Sequence, residues 1–147
     1  MSQRESRDGN VRRIEWAIRH EKEIIDAIAE EKFAPKRSGG STRSRSFVSD
    51  PTAFQAIRQA EEVRRVDVAG RPLEWPERWL SVVDAVRRWC DRDTVRAEIF
   101  RRRYAGESYI STCHVLHIAE QTYHFALKEI RGYALQAAAQ AQVIKVF

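Results

Sequence analysis

Gly106–Tyr133 reads GESYISTCHVLHIAEQTYHFALKEIRGY, and its spacing decides how the chain is built. Leu116, Ile118, Tyr123, Leu127 and Ile130 do not fall on one continuous helical stripe. They fit two short helices separated by about three residues. Ser108 is placed to cap a helix running to about Leu116. His117 and Ile118 make a tight turn, and a second helix starts at about Glu120. The preceding segment, DRDTVRAEIFRRRYAG, predicts a third helix. Asp91 or Asp93 is its cap, Val95, Ile99 and Phe100 point inward, and Gly106 is the stop just past its end. These three helices predict a helix-turn-helix unit, with Ile99, Phe100, Thr112, Cys113, Leu116, Ile118, Tyr123, Leu127 and Ile130 inside.

Working outward, Pro76 opens another helix, on which Trp79, Val82, Val83, Val86, Trp89 and Cys90 form a wide apolar stripe. Their shared helical face makes these aromatics core rather than a base-stacking platform. Before it, VRRVDVAGRPLEW carries Gly70 and Pro72 and reads as a connector, with room for a short extended piece. Asp50 and Pro51 predict a helix start, followed by Ala53, Ile57 and Ala60 on one face. Ala34–Ser49 holds Lys36, Arg37, Arg43 and Arg45 among glycines and serines, with no acid, and reads as a flexible basic linker. Val11 to Phe33 predicts a single charged helix with Ile14, Ala17, Ile18, Ile24, Ile25, Ile28 and Ala29 on a narrow stripe. A stripe that narrow needs another surface, on its own chain or on a second copy.

The organisation expected is therefore all-α: an N-terminal amphipathic helix over 1–33, a basic Gly/Ser linker over 34–49, a helix and connector over 50–75, and a helix-turn-helix domain over 76–147. No repeat is visible, and no segment alternates with period two over the length a sheet requires. The chain carries a net charge of +5, a mild basic bias that suits nucleic acid as a partner. Cys90 and Cys113 follow no metal or redox spacing, which fits reduced thiols in the cytoplasm. The N-terminal MSQRESRDGN lacks the apolar run of a signal peptide, and no stretch approaches the roughly 18 apolar residues of a membrane span.

Enzyme chemistry finds no purchase. There is no Gly-rich phosphate loop, and the carboxylates scatter over solvated faces. His114 and His117 share a helical face, and Cys113 and His124 are near in sequence, but Cys113 is expected in the core and no second pair completes a zinc set. No cofactor is expected. The outward face of the second helix instead holds Glu120, Gln121, Thr122, His124, Phe125, Lys128 and Arg131. Gln121 can pair with adenine, Lys128 or Arg131 can reach guanine or phosphate, and Phe125 can meet a thymine methyl. Thr122 suits a phosphate oxygen near the helix N-terminus. A solvated helix face also carries Gln, Lys and Arg, but it does not call for an exposed phenylalanine. Arg101, Arg102, Arg103 and the linker's Arg43 and Arg45 are the cations expected to neutralise backbone charge.

The segment RRYAGESYISTCHVLHIAEQTYHFALKEI resembles the region-4 helix-turn-helix of sigma factors, through Arg103, Tyr104, Ser108, Leu116, Ile118, Thr122 and Leu127. With GGSTRSRSFVSDPTAFQAIR and WPERWLSVV upstream, the order of motifs is similar to phage late-gene transcription regulators of the ArpU/RinA type. Three positions depart from that pattern: Arg102 stands for a leucine, His117 for a glycine in the turn, and Ala119 for a capping serine. The resemblance implies a sequence-specific regulator of phage or prophage late genes, those for packaging and morphogenesis, in the cytoplasm of a bacterial host. Double-stranded DNA is then the partner and RNA polymerase a further candidate. A homodimer or higher homo-oligomer is expected, because one such module buries little surface. The rival is a small terminase-like initiator of DNA packaging, which also joins a helix-turn-helix to oligomerising helices. If Arg43 and Arg45 touch backbone phosphates, replacing both with Ala weakens binding to all duplexes and flattens its salt dependence; an unchanged slope makes the linker a tether.

Overall fold

A computed structural model describes residues 3–33 and 61–145. The expected basic linker, the expected helix from Asp50, and the last two residues lie outside the described residues. Six helices and one hairpin are described: α1 (Gln3–Arg19), α2 (Glu21–Phe33), β1 (Arg65–Val68), β2 (Arg71–Glu74), α3 (Pro76–Cys90), α4 (Thr94–Tyr104), α5 (Tyr109–Leu116) and α6 (Glu120–Gln140). The protein is mainly helical, as expected. The described residues divide into two compact units, one from Lys22 to Glu77 and the other made of the residues up to Glu21 and from Arg78 onward.

The single helix expected over Val11–Phe33 starts earlier, at Gln3, and is divided at His20. The His20 ring stacks on Trp16 with centroids 4.5 Å apart, and its Nδ1 lies 2.8 Å from the Trp16 carbonyl. A carbonyl only accepts, so this contact places the ring proton on Nδ1. The ring thus reaches the same carbonyl that takes the His20 backbone N–H at 3.0 Å. Ile24 and Ile28 are buried, while Ile25 and Ala29, expected on the same stripe, are exposed. A stripe two residues wide suffices for so charged a helix.

In the unit from Lys22 to Glu77, the connector contains an antiparallel hairpin with Val66 opposite Leu73 and Val68 opposite Arg71. Val66, Val68 and Leu73 face inward and the intervening residues outward. Four-residue strands offer too few alternations to stand out in a sequence. The turn residues Ala69 and Gly70 both have positive φ, as a two-residue hairpin requires. Trp75 also has positive φ, and its N–H donates to the Arg64 carbonyl at 2.7 Å, closing the hairpin before Pro76.

The other unit holds the larger core. Trp79, Val82, Val83, Val86 and Cys90 of α3 are buried as the stripe predicts. Burial pushes the Cys90 thiol up to about 12, so it behaves as a small apolar side chain. Trp89 is half-buried, stacked on Tyr133 of α6 with rings 4.6 Å apart, and the Arg96 guanidinium lies 3.7 Å over its ring. Arg96 also donates to the Trp89 carbonyl at 2.8 Å. Thus α3, α4 and α6 meet at one aromatic ring. On α4, Ile99 and Phe100 are buried, but Val95, expected inward, is exposed in the first turn.

The helix-turn-helix forms where expected. Asp93 caps α4 by accepting from the Arg96 N–H at 3.1 Å, Gly106 turns the chain at φ +93°, and Ser108 caps α5 by accepting from the Ser111 N–H at 3.2 Å. His117 ends α5 in the left-handed region, with φ 55° and ψ 44°, and its N–H reaches back to the last turn. Within α5 the fully buried residue is Thr112, whereas Cys113 and Leu116 are half-buried, as is Ile118 beyond it. The fully buried small side chain of α5 is therefore Thr112, and Cys113, expected in the core beside it, is only partly covered. Ala119 leaves the start of α6 without a side-chain cap. Its extended φ and ψ of −72° and 153° already suit a capping residue. Ala119→Ser should therefore stabilise the fold by about 1 kcal/mol, read as a raised denaturation midpoint at unchanged slope. No gain would mean that those N–H groups already have other partners.

Candidate nucleic-acid interface

The surface expected to meet DNA lies on the first half of α6. Tyr123, Leu127 and Ile130 turn inward at spacings of four and three, and so fix which side of the helix faces out. Glu120, Gln121, Thr122, His124, Phe125 and Lys128 are all exposed on that outer side. Phe125 is 65% exposed, with Gln121 one turn before it and Lys128 one turn after. His124 Nε2 lies 3.4 Å from Glu120 Oε1 on the same face. The face is polar rather than basic, since Lys128 is accompanied by Glu120 and Glu129.

Two residues expected on this surface are engaged elsewhere. Arg103 of α4 donates to Glu15 through Nε at 3.1 Å and Nη2 at 2.9 Å. Arg131 of α6 donates to the other oxygen of the same carboxylate at 3.2 Å. Tyr104 completes the cluster, its hydroxyl donating to Glu15 at 3.1 Å. Glu15 is 8% exposed and sits on the inner side of α1 beside Ile14 and Ile18. A buried carboxylate must be met by donors, and two arginines supply them. Arg102 is likewise engaged, on Glu98 at 3.1 Å and Glu107 at 3.0 Å. Arg101 stays exposed, paired with Glu98 at 2.7 Å. Arg43 and Arg45 lie outside the described residues.

The protonation states follow. Burial alone would raise the Glu15 carboxyl, but the Arg103 hydrogen bonds and charge, with Arg131 and Tyr104, hold it below its ordinary 4.5. Burial pushes the Tyr104 hydroxyl upward, and the Glu15 charge adds to that. Arg103 is raised despite burial, because Glu15 favours its charged form. Together these charges and hydrogen bonds form a clasp around Glu15. Among the described residues no group of three His, Cys, Asp or Glu is placed to hold a metal ion, and no helix is long and apolar enough to cross a membrane.

Sequence reasoning missed Glu15. The signal was present: Val11, Ile14, Glu15 and Ile18 take the positions of an inward helical stripe, and a carboxylate there demands cationic partners. Glu15→Ala should cost roughly 3 kcal/mol, the low end for a broken buried pair, because the Arg131 side chain is 38% exposed. A folded-state pKa held below the unfolded value gives stability that is present above pH 4.5 and lost as pH falls through the folded value. Acid titration of stability should accordingly be flatter in Glu15→Gln than in the wild type below that pH; equal slopes would remove the clasp from the account. Comparisons with protein families, with characterised proteins and with solved structures find no match to this chain.

Proposed function

We propose that the chain is a sequence-specific double-stranded-DNA-binding regulator of transcription, with α6 from Glu120 to about Gly132 entering the major groove. The observation that carries this reading is Phe125, held 65% exposed on a helix that a left-handed turn sets across α5. Leaving so large an apolar side chain in water is unfavourable, and a thymine methyl is a partner of the right chemistry. Gln121 and Lys128 flank it at the spacing of one helical face. The missing side-chain cap at Ala119 leaves first-turn N–H groups available to a phosphate oxygen, next to Thr122.

With Arg103 and Arg131 committed to Glu15, base reading falls to Gln121, Phe125 and Lys128, and backbone neutralisation to Arg101 and the linker cations. The late phage or prophage genes are proposed as targets from the order of the sequence motifs. Self-association supports selectivity, because one helix in one half-site buries little surface.

The test is a selection of bound sites from random duplex DNA, with the oligomeric mass measured on the same sample. A defined motif bound by a monomer or dimer is the expected outcome. Sequence-tolerant binding by a large ring would instead make this a packaging protein, and no binding would sink both readings. Gln121→Ala should cost about 1–3 kcal/mol on the selected site and relax one base pair of it, with random DNA bound as before. Equal losses on both would take Gln121 out of base reading.

A further inference from the structure

Gly132 stands inside α6, well before the helix ends at Gln140. A glycine inside a helix destabilises it relative to alanine, because its backbone loses more freedom on folding. Three structural needs would account for one, and none applies. Its φ is not positive; among the described residues the glycines with positive φ are Gly70 and Gly106. It does not end the helix. Nor does it make room for a neighbour. Apart from its chain neighbours and the α6 backbone, no atom of the described residues lies within 4 Å of where a Cβ would stand. The space left open by the missing side chain faces out of the fold, not into it.

The place of Gly132 on the helix says what that space fits. Gln121, Phe125, Lys128 and Gly132 follow one another at intervals of four, three and four, and so share one row along the outer side of α6. Phe125 is 65% exposed, and Gln121 and Lys128 are exposed with it. At about 1.5 Å per residue, the row from Gln121 to Gly132 is about 16 Å long, whereas the major groove is about 12 Å wide. A face longer than the groove is wide cannot meet bases along its whole length. With Gln121 and Phe125 on base edges, its far end comes against one of the two sugar–phosphate walls. A side chain there would hold the helix off the wall, and a bare backbone lets the strand lie on it. One turn further on, Gln136 is exposed, and its amide can donate to a phosphate oxygen. Lys128 and Glu129 cancel in charge, so Gly132 offers the strand closeness rather than attraction.

We infer that Gly132 is the seat of one sugar–phosphate strand of the duplex, laid against the α6 backbone and held by Gln136 one turn on. This rests on α6 entering the major groove, as proposed above, and goes beyond it by locating a wall of that groove. A second copy of the chain would need an apolar seam here, and the row leading to Gly132 carries Gln121 and Lys128 instead.

The full chain is compared with Gly132→Ala, Gly132→Leu and Gly9→Ala by thermal denaturation, by DNA-free oligomeric mass and by binding to a duplex carrying the selected site. Gly9, inside α1, is equally open to an added Cβ and serves as the control. Both alanine variants should melt higher, by about 4 °C. Gly132→Ala should nonetheless bind the duplex about fivefold more weakly, and Gly132→Leu more weakly still, by about tenfold or more. The preferred motif should stay the same, because no base contact is lost. Gly9→Ala should bind as the wild type does. The seat is overturned if Gly132→Leu binds like the wild type. It is overturned equally if Gly132→Ala melts lower, which gives the glycine a task in the fold, or if Gly132→Leu lowers the DNA-free mass, which gives the face to a second copy. In the first case the wild type still recognises its site, so the proposed reading of α6 survives. A wild type that selects no site fails that reading, and the seat with it.

Discussion

One carboxylate holds the helix-turn-helix unit to the N-terminal helix. Glu15 receives two N–H groups of Arg103, one of Arg131 and the hydroxyl of Tyr104, and so ties α1 to α4 and α6. Burying a carboxylate is costly, and the cost is offset only when its lone pairs are all engaged in good geometry. Here both oxygens are used. The clasp also sets direction, since Arg131 lies on α6 one residue past the buried Ile130. Pulling Arg131 down onto α1 turns the side of α6 carrying Gln121, Phe125 and Lys128 away from the core.

That constraint shapes what the surface can do. An α6 carrying Arg131 outward would have a second cation and a stronger general attraction to phosphate. The face that remains has one lysine among two glutamates, so its general attraction to a polyanion is weak. On the proposed DNA-binding reading, discrimination by Gln121 and Phe125 would then weigh more heavily against non-specific binding. The cations that are not on α6 include Arg101 on α4 and Arg19 at the end of α1. In the proposed complex with DNA such an arrangement would separate positioning from reading, the usual division of labour in a protein–DNA contact.

How much of this could be read in the sequence depends on how local each signal is. Asp93, Gly106, Ser108 and His117 act on N–H groups within a few residues, and each does what its type predicts. The stripe on α3 is legible for the same reason, because Val82, Val83 and Val86 are one helix's own periodicity. The hairpin was harder to see. Val66, Val68 and Leu73 are its whole inward set, and the turn spends an alanine where an asparagine would have announced it. At His20, where the helix divides, the ring reaches a carbonyl four residues back, which periodicity does not announce. Glu15 lies furthest from local reading. Its partners are 88, 89 and 116 residues away, and only the packing of α1 on α4 and α6 brings them together.

The C-terminal half of α6 explains why one helix is so long. The stretch proposed to enter the groove ends near Gly132, yet α6 continues to Gln140. Beyond Arg131 its buried residues are Ala134 and Ala138, whose small side chains let α1 approach closely. Tyr133 stacks on Trp89 of α3, and past the helix end the Val143 carbonyl is 3.5 Å from Arg13 of α1, whose guanidinium lies over the Trp79 ring. The apolar residues Val143 and Ile144 are thus half-covered at the end of α6. The same rigid rod presents an exposed face in its first half and is a core element in its second. A helix continuous through both cannot tilt at one end without disturbing the other. Any displacement of α1 along α6, or any loosening of Glu15, is therefore felt directly at Gln121 and Phe125.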